Sequence, residues 1–122
     1  MKKELIFGNT KEKGKFTSFI YQDQKKPNYY IGICLEFNLL IEAKTLEGAM
    51  KKIKETAWFY LENVIKNKLP DYLLNEPAPL KYWKKYLELM EKIRMEKQRL
   101  YWQRKLQSII YNPNTIRERL HV

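Results

Sequence analysis

The sequence predicts an α+β protein: a three-stranded antiparallel β-meander packed by one α-helix, followed by a long C-terminal α-helix. Three observations lead there. An aromatic and β-branched run, Phe16 to Tyr21, is followed by two stretches, Tyr29 to Phe37 and Leu39 to Lys44, that alternate with the two-residue period of a strand with unlike faces. From Leu46 to Val64 the apolar spacing changes to three and four, the period of one helix face. Pro70, Pro77 and Pro79 then break the pattern before a second helical stretch.

After a lysine-rich start, Leu5 to Phe7 reads as a short strand or a loosely packed segment, and Asn9 to Lys15 as a polar connection. The run Phe16 to Tyr21 is dense in aromatic and β-branched residues, and Gln22 to Asn28, with its charges and Pro27, turns the chain. The return strand, Tyr29 to Phe37, places Tyr29, Ile31, Ile33, Leu35 and Phe37 on one face and Tyr30, Gly32, Cys34 and Glu36 on the other. A third strand, Leu39 to Lys44, follows a tight connection at Asn38. The helix that comes next is expected to cover the greasier sheet face. Thr45 is placed to cap it through its hydroxyl, and Glu47 meets the positive end of its dipole.

Asn67 to Pro79 reads as a hinge or strap, with Leu73 and Leu74 docking on the core. Pro79 suits the first turn of a helix that runs to Leu106, with Trp83, Leu87, Met90, Ile93 and Leu100 along one stripe that Lys97 and Arg104 interrupt. Asn112-Pro113-Asn114 stops the chain again, and Thr115 to Leu120 is expected to form one or two helical turns.

A chain of 122 residues has room for one core and an appendage, because two cores of half that size would each bury too little surface to offset chain entropy. The expected division is residues 1–66 for the β-β-β-α domain, 67–79 for a proline-containing linker and 80–122 for a basic helical extension. With 44% hydrophobic and 31% charged residues, the chain is too apolar for a disordered polyelectrolyte. No apolar run approaches the ~20 residues that cross a bilayer, and the stretch after the N-terminal lysines is too short for a secretory signal, so a cytoplasmic protein without a membrane partner is expected. Cys34 is the only cysteine, which excludes an internal disulfide and a multi-thiolate metal site.

The net charge is +10 and unevenly spread: residues 1–65 hold 11 Lys/Arg against 8 Asp/Glu, residues 66–122 hold 13 against 6. A basic segment joined to a nearly neutral one points to phosphates or an acidic partner, or serves solubility.

The strand, strand, strand, helix order, with Tyr30-x-Gly32-x-x-Leu35-Glu36-Phe37 followed by Ala43-Lys44-Thr45-Leu46-Glu47-Gly48-Ala49, resembles the HicB antitoxin domain of toxin–antitoxin systems over residues 16–65. Glu36, Thr45 and Ala49 fit that family's pattern; Leu35 stands where it commonly has proline, and Ala43-Lys44 where it has Gly-Asp. The resemblance implies a partial ribonuclease H-like fold and a non-catalytic module, an antitoxin or an orphan relative, that masks a small basic RNA-cleaving toxin. Tyr30, Glu36, Glu42 and Thr45 would meet that toxin, with Glu36 and Glu42 lending the sheet face an acidic potential that would steer a basic partner.

The alternative is nucleic-acid binding, to DNA or RNA, through the basic C-terminal helix. Its candidates are Lys84, Lys85, Lys92, Arg94, Arg99, Arg104 and Lys105, interleaved with Tyr82, Trp83, Tyr86, Tyr101 and Trp102. Cations among aromatic rings suit phosphate contacts and base stacking. Trp83 and Tyr86 lie on the apolar stripe and are expected to pack against the core or a second subunit, so homo-oligomer formation through residues 80–106 is a further expectation.

Catalysis is not expected. Ribonuclease H-type chemistry needs several carboxylates converging on divalent metals, and only Glu36 and Glu42 lie on the mixed strand face. His121, the sole histidine, is the penultimate residue, and neither a nucleophile constellation nor a phosphate-cradling glycine loop is present. No cofactor is implied.

Overall fold

The computed structural model describes residues 7–95 and 99–120. The expectation for Leu5 and Ile6, and the residues Lys97 and His121, lie outside them.

An antiparallel sheet of four strands organises the chain: β1 (Gly14–Gln22), β2 (Tyr30–Cys34), β3 (Leu39–Ala43) and β4 (Leu106–Tyr111), in the order β3-β2-β1-β4. β1 is the long central strand. It pairs with β2 from Ser18 opposite Cys34 to Gln22 opposite Tyr30, and with β4 from Gly14 opposite Tyr111 to Phe19 opposite Leu106. β2 ends three residues earlier than expected, because Leu35 to Asn38 turn the chain, with Asn38 in the left-handed region at φ 55°. Asparagine tolerates that conformation better than most residues, which lets this turn form without a glycine.

The fourth strand corrects the expectation of three. Leu106, expected to end a long helix, instead opens β4. The run Ile109-Ile110-Tyr111 is β-branched and aromatic, and it occupies an edge of β1 whose buried backbone groups need partners. The long helix is therefore broken: α1 (Leu46–Lys66) is followed by a 3-10 turn (Asp71–Leu74), then α2 (Leu80–Arg94), a five-residue α3 (Arg99–Gln103) and, after β4, α4 (Pro113–Leu120). Asn112 caps α4 by accepting from the backbone N–H groups of Asn114 and Thr115, and Pro113 fits its first position.

Helices cover both sheet faces, and the pairing of helix with face is the reverse of the expected one. α1 lies on the face of Phe16, Ile20, Gly32, Cys34 and Ile41, burying Ala49, Ile53, Ala57, Trp58, Leu61 and Val64 there. Gly32 makes the close approach possible: a Cβ on it would stand 3.0 Å from Ile53 Cβ. The greasier face, Phe19, Ile31, Ile33 and Leu35, is covered by α2 through Tyr82, Trp83, Tyr86, Leu89 and Ile93. Long aromatic side chains span that gap, with Tyr86 at 6.2 Å from Phe19 and Tyr82 at 6.4 Å from Tyr21 between ring centroids.

Residues 67–79 carry the chain from one helix layer to the other. Leu74 is buried with the α1 cluster, Ala78 with the α2 cluster, and the Ala78 N–H donates to the Leu35 carbonyl at 2.9 Å. Asn75 and Asn9 hold this strap by exchanging side-chain to backbone hydrogen bonds at 3.0 and 2.9 Å. The segment beyond it contributes a strand and a covering helix to the same sheet.

Candidate nucleic-acid interface

Of the four residues expected to meet a toxin, three lie at one end of the sheet. Thr45 Oγ1 accepts from the Gly48 N–H at 2.9 Å and caps α1. Tyr30 opens β2 opposite Ala43, half-buried against the α1 cluster, and Glu42 is exposed on the edge strand β3.

Glu36 is elsewhere. It sits in the β2–β3 turn, beyond the far end of a strand about 13 Å long at 3.3 Å per residue. It is only 4% exposed, and its carboxylate accepts from the Thr17 N–H at 2.6 Å and from Thr17 Oγ1 at 3.0 Å. Burial pushes its pKa up, against the lowering effect of the Thr17 hydrogen bonds and of Lys15. Glu36 and Glu42 therefore form no common acidic face: Glu42 is exposed on β3, while Glu36 is buried in the turn at the other end of β2.

The basic candidates divide differently. Arg94 pairs with Glu91 on the surface of α2, and Arg104 pairs with Glu47 at the start of α1 at 2.8 Å. Lys84 is exposed on α2, and the side chain of Arg99 lies outside the described residues. Lys85, Lys92 and Lys105 come together at a cleft of about 210 Å³ between α2, the end of β1 and the start of β4. Helical periodicity puts Lys85 and Lys92 on one face of α2, two turns or about 10 Å apart. Lys105 is fixed by backbone pairing, since its carbonyl accepts from the Ile20 N–H at 2.8 Å.

Aromatic rings position these ammonium groups. Lys85 Nζ lies 4.6 Å from the Tyr21 ring centroid, Lys92 Nζ 4.4 Å from that of Trp102, and Lys105 Nζ 4.9 Å from Trp102 and 4.6 Å from Tyr101. Each such contact contributes roughly 0.5–1 kcal/mol at an exposed site, enough to bias a flexible lysine toward one place. The Tyr21 hydroxyl is pushed up to about 12, first by burial and then by Tyr82, so it adds no negative charge at neutral pH. Glu88 is the one acidic side chain lining the cleft among the described residues. Three cations held over aromatic rings, with one carboxylate among them, give the cleft a net positive charge.

Tyr21 is the part of the cleft that sequence reasoning missed. It lies near the end of β1, 64 residues before Lys85, and only the α2 packing brings them together. Trp83 and Tyr86 belong to the buried α2 layer.

No family model, no curated protein and no solved structure matches the chain. Among the described residues no helix is long and apolar enough to cross a membrane, and no group of His, Cys, Asp and Glu is arranged to hold a metal ion. Cys34 is fully buried, and burial pushes its thiol up, away from the reactive thiolate.

Proposed function

We propose that this protein binds nucleic acid, with the Lys85, Lys92 and Lys105 cleft as its phosphate-gripping site and no catalytic step of its own. The observation that carries the reading is the convergence of three ammonium groups, from two separate elements, over the Tyr21 and Trp102 rings in a chain of net charge +10. Phosphate contacts by lysine release condensed counterions and supply most of the affinity of sequence-independent binding. A mobility-shift titration at low salt tests it. Wild-type protein is expected to retard a labelled oligonucleotide, and the triple substitution Lys85→Gln, Lys92→Gln, Lys105→Gln to lose most of that binding while keeping its circular dichroism spectrum. Equal retardation by both proteins places the contact elsewhere and removes the reading.

A second reading is a HicB-like antitoxin or orphan relative that masks a small RNA-cleaving toxin. It is favoured by the β1-β2-β3-α1 order with Thr45 capping α1, and by the edge strand β3, which leaves Glu42 and Leu40 exposed for a partner. Charge ranks it second, because a chain at +10 repels a basic toxin at long range. Co-purification with the product of a neighbouring small gene supports it. Its absence, together with no rescue of growth on co-expression, removes it.

A further inference from the structure

Nucleic-acid binding at the cleft leaves strandedness open, and the shape of the cleft decides that point. Resting on the nucleic-acid reading, we infer that the cleft takes a single strand and discriminates against duplex, with Lys85, Lys92 and Lys105 each meeting a backbone phosphate and a neighbouring base seated against Trp102 and Tyr101.

One feature of the surface argues against a duplex. Lys85 and Lys92 stand exposed and Lys105 half-buried around a concavity of about 210 Å³ between α2 and the sheet, which is too small to admit a duplex.

Two features argue for a single strand. Tyr101 is 47% exposed and meets Trp102 edge to face, with ring centroids 4.9 Å apart, so an aromatic surface stands directly beside the cations. Such a surface stacks on bases whose faces are free, which a single strand offers and a duplex does not. The second feature is coupling between the two halves of the site. Lys92 and Lys105 both lie near the Trp102 ring, and a phosphate attracts an ammonium more strongly than a ring quadrupole does. Phosphate binding therefore draws the lysines off the indole and opens it to the adjoining base.

The test is fluorescence anisotropy with a labelled 20-nucleotide single strand, the same sequence as a blunt duplex, and unlabelled inorganic polyphosphate as competitor. We expect the single strand to bind at least about tenfold tighter than the duplex. Trp102→Ala should weaken single-strand binding between about fivefold and a hundredfold, the usual range for loss of one stacked base, and weaken duplex binding less. Trp102→Phe should recover most of the loss, which separates stacking from damage to the fold. Equal affinity for both forms, or polyphosphate competing as well as the single strand with no effect of Trp102→Ala, overturns the inference and leaves the nucleic-acid reading standing. Failure of both forms to bind at low salt removes the nucleic-acid reading and this inference with it.

Discussion

Replacing Glu36 separates the worth of its hydrogen bonds from the cost of its buried charge. The carboxylate supplies acceptors for two buried donors of Thr17, at 2.6 and 3.0 Å, and the residue is 4% exposed. Glu36→Ala removes both acceptors. The Thr17 backbone N–H is left buried in β1 without that acceptor, at a cost of about 1–3 kcal/mol. The lost Cγ methylene adds about 1 kcal/mol, so the total is about 2–4 kcal/mol. Glu36→Gln keeps an acceptor for the N–H and a donor for the hydroxyl, and it removes the desolvated charge.

The pH dependence follows from the direction of the shift. Burial raises the folded-state pKa of Glu36 above its unfolded value, so its contribution is fully present below the unfolded carboxylate pKa and is lost as pH rises through the folded one. At neutral pH the Gln variant should therefore be at least as stable as wild type. As pH falls through the folded value toward the ordinary carboxylate range, wild type gains on the variant until the two converge. Urea denaturation of the three proteins at neutral and at acidic pH measures this, with the midpoint shifted at constant slope. If Glu36→Gln is as damaging as Glu36→Ala at neutral pH, the charge itself is required and Glu36 is not simply a hydrogen-bond acceptor.

Two further predictions concern the fold. Gly32→Ala places a Cβ 2.9 Å from Ile41 Cδ1 and 3.0 Å from Ile53 Cβ, and should cost about 1–3 kcal/mol through overpacking; an unchanged denaturation midpoint contradicts the close seating of α1 on β2. Thr45→Ala removes the hydroxyl that caps α1 and should lower stability by about 1 kcal/mol, with Thr45→Ser restoring most of it; equal losses in both variants point away from the cap.

What could be read from the sequence was local. The aromatic and β-branched run 16–21 lies within β1, the alternations at 29–37 and 39–44 contain β2 and β3, and the three-and-four spacing from Leu46 to Val64 marks α1. Thr45 as a cap was also legible, since a hydroxyl before an apolar periodic run has one dominant use. The face assignment failed because both faces of β2 are buried, and periodicity reports which residues share a face but not which helix covers it. There the decisive detail was small size: Gly32 and Cys34 admit a close helix, while Ile31 and Ile33 meet a more distant one. β4 was hidden because it is a short run following directly on a helical stretch, and its pairing partner lies some 90 residues earlier in β1. Glu36 looks like an ordinary turn carboxylate until Thr17 is placed beside it. The cations of residues 84–105 were visible as a set. The chain reversal between α2 and β4 selects Lys85, Lys92 and Lys105 from it, and the Arg94 and Arg104 ion pairs take two of the others out.

The sharpest check on the Lys85, Lys92 and Lys105 cleft is the salt dependence of nucleic-acid affinity. Three phosphate contacts to a single strand give a slope of log K against log salt of about −2, or a loss of about 20-fold between 50 and 200 mM salt. Each single substitution among Lys85→Gln, Lys92→Gln and Lys105→Gln should reduce that slope by about 0.7. Undetectable binding at 50 mM salt, or a slope that none of the three substitutions changes, contradicts the assignment of this cleft.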